Sequence, residues 1–304
     1  MGTPAAAVPS LKRIIGDGHD VVAVYTQPDR PAGRGQKLHT SPVKEFSVSR
    51  GLQVLQPTKL RLPETVENFR SHGADVAVVV AYGRILPIDY LRAFPRGAIN
   101  VHFSLLPKYR GAAPVNWAIA EGETETGVTT MQMDEGLDTG DILLQWATSI
   151  GKDENAIDLM SRLADVGADI LSDTLSDLLS IHPRKQDHEK ATLAPILKKD
   201  DGRIDWTMDA KEIANRIRGF QPFPGTFTDF RGRTLKVWQG RSITGSDISG
   251  RPGEVAITST DGMVVSCGKD VLQLLEVQPE GKKRMAVTDF INGSRLRTGE
   301  ILGQ

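Results

Sequence analysis

Hydrophobic positions in the first half of the chain form short runs that alternate with helical patterns. β-Branched and other apolar residues dominate residues 21–26 (VVAVYT), 74–83 (ADVAVVVAYG), 97–102 (GAINVH) and 126–133 (TGVTTMQM). The run at 74–83 is apolar on both faces, as expected of a central parallel strand. Residues 154–179 instead carry apolar residues at helical spacing, with Asp and Ser on the opposite face. Strands that alternate with helices predict an α/β domain with a parallel sheet and right-handed crossovers.

The pattern changes after about residue 182. Residues 182–195 are polar and proline-containing, which predicts a linker. Residues 205–220 have the apolar spacing of a helix, and short strands broken by turn residues follow within 234–279. Several short strands near the end of a chain favour a small barrel or sandwich. We therefore predict a first domain over residues 1–183, a linker over 184–200 and a smaller β-rich domain over 201–304.

Composition excludes several classes of protein. The 304 residues suit two domains, and the net charge of −1 gives no global attraction to nucleic acid or membrane. The single Cys267 excludes an internal disulfide and a CxxC metal site, which fits a reducing compartment. No apolar run approaches the ~18 residues of a transmembrane helix, and the N-terminus lacks the zones of a signal peptide. We therefore expect a cytoplasmic protein.

Polar residues stand at the end of the strand predicted over 97–102. Asn100 and His102 are two residues apart, so their side chains point to the same side of the sheet if the strand continues through them. Ligands of open α/β sheets bind at the carboxyl ends of strands, where this pair would lie. Asn offers an uncharged N–H donor to a developing oxyanion, and His can donate to that oxyanion or take a proton at neutral pH.

An acidic, glycine-containing segment, MDEGLDTGDIL (133–143), offers carboxylates to this pair. Asp134, Asp138 or Asp141 could orient the imidazole, and Gly136 and Gly140 would let the backbone approach a flat ligand closely. Each candidate also has a structural interpretation, since a His after a strand is often structural and an Asn often forms a turn. The segment also resembles a solvated turn, and it lacks the spacing and terminal Glu of a calcium-binding EF-hand. The residue types permit acyl or formyl transfer without singling it out.

Longer motifs indicate which of these transfer reactions the residues serve. NVHFSLLPKYRGAAPVNWAI (100–119) resembles the signature of the folate-dependent formyltransferases, in which Asn-x-His-x-Ser-Leu-Leu-Pro is followed by an Arg-Gly pair. Two positions depart from the family: the opening reads GTPAAA instead of Gly-Thr-Pro-Glu-Phe-Ala, and Phe103 replaces a small residue. Other segments resemble the methionyl-tRNA formyltransferases, and they cover nearly the whole chain: 26–35, 78–87, 126–143, 202–206, 222–227 and 279–285.

The resemblance implies a Rossmann-like N-terminal domain and an OB-like C-terminal barrel. It implies transfer of a formyl group from N10 of 10-formyltetrahydrofolate to the α-amine of methionine on initiator tRNA, without a metal ion. The family's catalytic residues map onto Asn100, His102 and Asp138: the first two would donate to the oxyanion, and Asp138 would hold the imidazole and help relay a proton. Its tetrahydrofolate-binding stretch maps onto Ser104, Leu105, Leu106 and Pro107, with a cis peptide bond expected between Leu106 and Pro107.

Binding of tRNA would have to depend on local basic patches because the net charge is −1. Residues 29–44 are rich in Gly and Pro, and in them Asp29 opposes several cations, Lys44 among them. Composition alone favours a solvated loop, whereas in the family this loop reaches the acceptor stem. The residues expected to bind tRNA are Arg34, which matches the family's critical arginine, Lys37, Lys198, Lys199, Lys282 and Lys283. We expect a monomer that does not bind membranes.

Three other functions compete with this interpretation. A folate-dependent formyltransferase acting on an amino sugar nucleotide can share both domains, but it has no acceptor stem for the basic segments 29–35 and 281–285 to grip. A hydrolase that deformylates the folate needs no RNA surface. A non-catalytic RNA-binding module would not need the three catalytic residues. A transfer assay separates these functions.

The chain also starts later than the resemblance predicts. In the family an apolar strand precedes Gly-Thr-Pro, whereas here Met1 directly precedes Gly2. That strand would lie between residues 21–26 and 76–81, and its removal would leave buried backbone groups unpaired. We therefore expect a truncated start, with the two segments about 9–10 Å apart and not hydrogen-bonded to each other.

Overall fold

Strands and helices follow the hydrophobic pattern, and they group into two units. The structure, a computed structural model, describes residues 1–32, 37–245, 248, 250–259 and 262–304. Unit 1 comprises Met1–Pro114, Glu125–Ser149 and Met160–Pro195. Unit 2 comprises Val115–Thr124, Ile150–Leu159 and Ile196–Gln304. No helix in the described part of the chain is long and apolar enough to cross a membrane.

The elements are numbered along the chain. Within the described residues the helices are α1 (Val8–Gly16), α2 (Pro42–Ser49), α3 (Pro63–Arg70), α4 (Ile88–Leu91), α5 (Pro114–Ala120), α6 (Ala156–Ser176), α7 (Ala210–Gly219) and α8 (Val287–Ser294). The strands in the same residues are β1 (Val24–Tyr25), β2 (Arg30–Ala32), β3 (Lys37–His39), β4 (Val54–Leu55), β5 (Ala77–Val80), β6 (Ala98–His102), β7 (Arg110–Gly111), β8 (Glu125–Gln132), β9 (Ile142–Ser149), β10 (Leu193–Ala194), β11 (Thr226–Phe230), β12 (Arg233–Ile243), β13 (Val255–Ser259), β14 (Gly262–Ser266), β15 (Val271–Pro279) and β16 (Met285–Ala286).

The main sheet of unit 1 has the strand order β5-β6-β8-β9. β5 and β6 are parallel, as the sequence predicts, but β8 is antiparallel to both β6 and β9. The short connection between β8 and β9 accounts for the second pairing, because adjacent strands can be parallel only when a long crossover joins them. The connection from β6 to β8 is long enough for a crossover, so the sequence leaves the direction of that pairing open. The core residues of β5 and β6 include Val79, Ile99 and Val101, all buried.

β1 pairs with β4, and it does not pair with β5 in the described residues. Met1 and Gly2 lie between β1 and β5: the Gly2 amide donates to the Tyr25 carbonyl at 3.0 Å, and the Val80 amide donates to the Met1 carbonyl at 2.9 Å. A cavity of about 560 Å³ adjoins them, and its lining includes valines of both flanking segments. As the sequence predicts, segments 21–26 and 76–81 form no ladder with each other in the described residues.

Unit 2 is built on an antiparallel sheet, which confirms the predicted β-rich second domain. Its strands follow the order β11-β12-β15-β14-β13, and β16 pairs with β15. The side chains of α7 and α8 join the core of this sheet, including Ile213, Ile217 and Phe290. α7 starts at a reciprocal cap, in which Asp209 accepts from the Lys211 amide and Glu212 accepts from the Asp209 amide.

Residues 184–195, part of the predicted linker, belong to unit 1. Arg184 and Ile142 exchange backbone hydrogen bonds of 2.8 Å, and β10 pairs in parallel with β7. Composition gave the linker prediction because this segment is polar and proline-containing. Near both of its ends, at Arg184, Thr192 and Ala194, its backbone nevertheless pairs with other segments of unit 1.

Candidate active site

β6 positions the first two candidate residues. Asn100 stands opposite Val79 of β5 and Met131 of β8, and His102 stands opposite Thr129. Asn100 is 9% exposed and His102 5% exposed. The Asn100 carboxamide makes no hydrogen bond with any residue that the structure describes. Its N–H group is therefore available to a ligand.

The imidazole of His102 has two different neighbours. Nε2 lies 2.9 Å from the Tyr109 carbonyl oxygen, which can only accept, so Nε2 carries the hydrogen. Nδ1 lies 3.7 Å from Oδ2 of Asp138. That separation is too long for a hydrogen bond, but it is short enough for attraction if Nδ1 takes up a proton. His102 can therefore accept a proton on the side that faces Asp138.

Asp138 reaches this position from the connection between β8 and β9. Its backbone φ is +52°, and its Oδ2 accepts a 2.8 Å hydrogen bond from the Gly111 amide of β7. Residue types alone offer three aspartates and the family resemblance points to Asp138, whose carboxylate lies beside His102. The Asp134 carboxylate instead accepts from the Thr139 hydroxyl at 2.6 Å and the Gly136 amide at 3.1 Å, which shapes the loop.

The glycines of this loop have a different role from the one that the sequence predicts. A Cβ at Gly140 would lie 1.7 Å from the Gln132 carbonyl oxygen, and one at Gly136 would lie 1.9 Å from Oγ1 of Thr139. Each glycine therefore allows the loop to pack against its own chain.

The predicted folate-binding turn follows β6 directly. The Leu106–Pro107 bond is cis, which confirms that prediction. The Ser104 hydroxyl donates to the Lys108 carbonyl at 2.7 Å, and the Leu106 side chain is buried with Met131 and Ile142. Leu105 and Pro107 are half-buried, so within this stretch their side chains retain surface that a ligand can cover.

Uncharged residues that sequence reasoning missed hold this turn. Thr129 donates its hydroxyl to the Ser104 carbonyl at 2.6 Å and accepts from the Leu106 amide at 3.2 Å. Gln145 donates to the Leu106 carbonyl at 2.8 Å. Phe103, a departure from the family pattern, is buried with its ring close to Gly167 of α6. Thr and Gln at such positions carry no periodic or charge signal, so the sequence offered no means of finding them.

Most of the predicted tRNA-binding cations lie on exposed turns. Lys198 and Lys199 stand at the short helical turn Lys199–Gly202, and Lys282 and Lys283 lie between β15 and β16; all four are exposed. Lys37 begins β3, and Arg34 lies outside the described residues.

Lys44, one of the cations of segment 29–44, is already paired. It lies 2.5 Å from Asp29, and this hydrogen bond, with a second from Gln56, holds the pKa of the Asp29 carboxyl below its usual value. Its charge is therefore balanced within the protein, unlike those of the four exposed lysines.

Comparison with known proteins identifies the family. The formyl transferase family model matches residues 2–175, and the model of the formyl transferase C-terminal domain matches residues 196–295. The chain belongs to the formyl transferase family. This confirms the resemblance seen in the sequence motifs.

Two relatives that align with nearly the whole chain are both methionyl-tRNA formyltransferases. The chain is 52% identical to the methionyl-tRNA formyltransferase of Solibacter usitatus, over 100% of this chain and 97% of that protein. It is 50% identical to the methionyl-tRNA formyltransferase of Myxococcus xanthus, over 98% of this chain and 95% of that protein.

Solved structures of low sequence identity share the fold. The sugar 3N-formyltransferase WlaRD matches with a TM-score of 0.65 and 20% identity, over 93% of this chain and 97% of that one. HypX from Aquifex aeolicus matches with a TM-score of 0.59 and 15% identity, over 88% of this chain and 46% of that one. At these identities the likeness extends to the fold and not to the substrate.

Proposed function

We propose that this formyl transferase moves the formyl group of 10-formyltetrahydrofolate to the α-amino group of methionine on initiator tRNA, for translation initiation. The observation that carries this proposal is the 52% identity to a methionyl-tRNA formyltransferase across the whole chain. The alternative, formylation of an amino sugar nucleotide, has support only from structures of about 20% identity. We place the enzyme in the cytoplasm, because aminoacylated initiator tRNA is used there.

The residues of the site fit a formyl donor. When bound, 10-formyltetrahydrofolate would supply an activated formyl group, and Ser104, Leu105, Leu106 and Pro107 would hold the folate. The unpaired carboxamide of Asn100 matches the need of a formyl oxygen for a hydrogen-bond donor. Leu105 and Pro107 offer half-buried apolar surface to a flat ring.

Each catalytic residue then has a distinct task. Asn100 donates an N–H to the oxygen that becomes negatively charged as the amine attacks. The Nε2–H of His102 is committed to Tyr109, so we do not assign His102 the oxyanion contact that the resemblance implies. Its Nδ1 is instead the nitrogen that can take a proton from the amine, directly or through a water. Asp138 stabilises the imidazolium that results, and the Gly111 amide fixes one of its oxygens. When the tetrahedral intermediate collapses, the bond from the formyl carbon to N10 breaks, and the proton taken up by His102 passes to N10, directly or through a water, so that tetrahydrofolate leaves as a neutral amine.

Recognition of tRNA requires contacts outside this site. We assign phosphate contacts to Arg34, Lys37, Lys198, Lys199, Lys282 and Lys283. Exposed lysines that form no ion pair can neutralise phosphates, and among the described residues the four in unit 2 form none. A monomeric state remains a prediction.

The test is transfer with purified protein and 10-formyltetrahydrofolate. The acceptors are methionyl initiator tRNA, methionyl elongator tRNA and a 4-amino sugar nucleotide, and a His102→Ala variant serves as the control. We expect formylmethionyl initiator tRNA from the wild type alone. Formylation of the sugar nucleotide but not of tRNA would contradict the proposal. Release of formate without any acceptor would identify a folate hydrolase instead.

A further inference from the structure

A segment with the composition of a linker lies against the active site. Residues 184–194, which we name the strap, are tied to β9 at one end by the paired hydrogen bonds of Arg184 and Ile142. At the other end the Thr192 and Ala194 carbonyls accept from the amides of Arg110 and Ala112 at 2.9 Å. The strap therefore runs beside β7, the strand whose Gly111 amide binds Asp138.

Close packing keeps the strap in place. A Cβ at Gly111 would lie 2.6 Å from the Ala194 carbonyl oxygen, so β7 can approach the strap only with a glycine here. Thr192 also accepts the Tyr109 amide at 2.9 Å, and the carbonyl of Tyr109 is the one that binds His102. The strap thus supports the neighbours of both His102 and Asp138.

Gln186 is the strap residue that reaches the catalytic loop. It is 5% exposed, and its Nε2 donates to the carbonyls of Asp138 at 2.9 Å and Gly140 at 2.7 Å. Its Oε1 accepts from Nε and Nη2 of Arg110 at 3.1 and 2.7 Å. Since a guanidinium can only donate, Arg110 fixes which end of the amide faces the loop. The orientation of Gln186 therefore follows from its partners.

We propose that Gln186 is a positioning residue that holds the Asp138 loop so that its carboxylate faces His102. The loop is held at two points. The Gly111 amide binds the Asp138 carboxylate, and Gln186 binds the backbone carbonyls of Asp138 and Gly140. A loop that is held on one side only can shift relative to His102, and a displacement of about 1 Å in a catalytic group can cost ~10²-fold in rate. The expected loss of rate rests on the proposed function, whereas the position of the Asp138 loop relative to His102 does not.

Two variants disrupt the hold of Gln186 on the loop in different ways. Gln186→Glu keeps the size and the hydrogen bonds from Arg110, but it places a carboxylate oxygen against two carbonyl oxygens. Gln186→Met keeps the length and removes all four hydrogen bonds, so it tests the proposal if the charged variant does not fold. We expect kcat to fall ~10–100-fold in each, with KM for both substrates changed by less than about threefold.

The matched control is Gln221 of unit 2. It is 8% exposed, and its Nε2 also donates to two backbone carbonyls, those of Ile217 at 3.0 Å and Trp238 at 2.9 Å. Gln221→Glu and Gln221→Met should lower the melting temperature about as much as the Gln186 variants, with kcat retained. Equal losses of kcat in the two sets of variants would show that Gln186 supports only the fold.

A second readout needs no substrate. In protein labelled with ¹⁵N-histidine, the ring signals of His102 are assigned by their loss in His102→Gln. We expect both Gln186 variants to shift the Nδ1 signal of His102 and both Gln221 variants to leave it unchanged. An unchanged His102 signal in the Gln186 variants overturns the inference. If the wild type formylates no tRNA, the proposed function fails, and these spectra still decide the role of Gln186.

Discussion

At the scale of single residues, Asn100 differs from the other buried polar groups around it. The side chains around it hydrogen-bond to backbone carbonyls of the protein, as those of Thr129, Ser104 and Gln186 do. The carboxamide of Asn100 has no partner among the described residues. The Asn100 N–H group therefore remains free to donate to a ligand, whereas the polar groups of the other three residues are committed within the protein.

Asn100→Ala should therefore separate activity from stability. We expect kcat to fall by about 10²–10³ because one donor to the oxyanion is lost. The melting temperature should hardly change, since no protein hydrogen bond disappears. Steady-state kinetics and thermal denaturation on the same preparations measure both effects.

The control for this variant is Thr226→Val in unit 2. The buried Thr226 hydroxyl donates to the Val237 carbonyl at 2.8 Å, so its removal should cost about 1 kcal/mol of stability and leave transfer intact. If Asn100→Ala loses as much stability as Thr226→Val and retains its kcat, Asn100 is structural.

At the scale of elements, the β8–β9 connection carries Asp138 into the site, and Gly140 sets its path. No side chain fits at Gly140, because the obstacle is the Gln132 backbone and not a flexible side chain. Gly140→Ala must therefore push the loop away. We expect it to lower kcat at least tenfold and to destabilise the fold by about 1–3 kcal/mol, as overpacking does.

Gly16→Ala is the matched control for Gly140→Ala. Gly16 is the last residue of α1, and a Cβ there would meet no atom within 4 Å. Because Ala favours a helix over Gly, the change should be neutral or stabilise by up to about 1 kcal/mol. Urea denaturation and initial rates for both variants test the pair, and equal effects would refute the role given to Gly140.

An ion pair in unit 2 makes stability depend on pH. Arg231, in the turn between β11 and β12, donates to both carboxylate oxygens of Glu300 at 2.9 and 2.8 Å. This hydrogen bonding holds the pKa of Glu300 below its ordinary 4.5. The stabilisation is therefore complete above pH 4.5 and is lost as the pH falls through the lowered value in the folded protein.

Glu300→Gln should remove that pH dependence. The melting temperature of the variant is expected to be lower than that of the wild type at pH 7. This difference in melting temperature should shrink as the pH falls below 4.5, because the wild type then loses its ion pair progressively. Melting curves between pH 3 and pH 7 check this, with the exposed Glu67→Gln as the control. A difference that stays constant with pH would rule out the ion pair as its cause.

At the scale of the whole molecule, a chain with a net charge of −1 has to bind a polyanion through local cations. Lys282 and Lys283 are exposed neighbours in the turn between β15 and β16, where Arg284 is already paired with Glu276 and lies over the Trp238 ring. Two free charges beside a neutralised one form the kind of small patch that contacts phosphates.

The double variant Lys282→Gln and Lys283→Gln should weaken tRNA binding without changing the chemistry. We expect a higher KM for tRNA, an unchanged kcat, and a slope of log KM against log salt that is smaller by about one for each phosphate that the variant no longer neutralises. Lys211→Gln, an exposed change on α7, is the control. An unchanged salt slope would place the RNA contacts elsewhere.

The sequence by itself determined the features that depend on near neighbours along the chain. Short runs of apolar residues predicted the positions of β5 and β6, and the spacing of Asn100 and His102 predicted that both lie on one side of β6. The family motifs gave the cis bond at Pro107 and the three candidate catalytic residues. Each of these depends on local backbone geometry, and local geometry leaves a periodic or motif signal in the sequence.

The tertiary structure alone decided which distant groups meet. It set the Asp138 carboxylate 3.7 Å from His102 and bound it to the Gly111 amide; it made β8 antiparallel; and it turned a linker-like segment into the strap that carries Gln186. It also paired Lys44 with Asp29. Contacts between segments far apart in sequence depend on loop path and packing, and a single uncharged residue such as Gln186 changes neither the hydrophobic period nor the net charge. The sequence could therefore supply candidates for the site, and only the fold could select their partners.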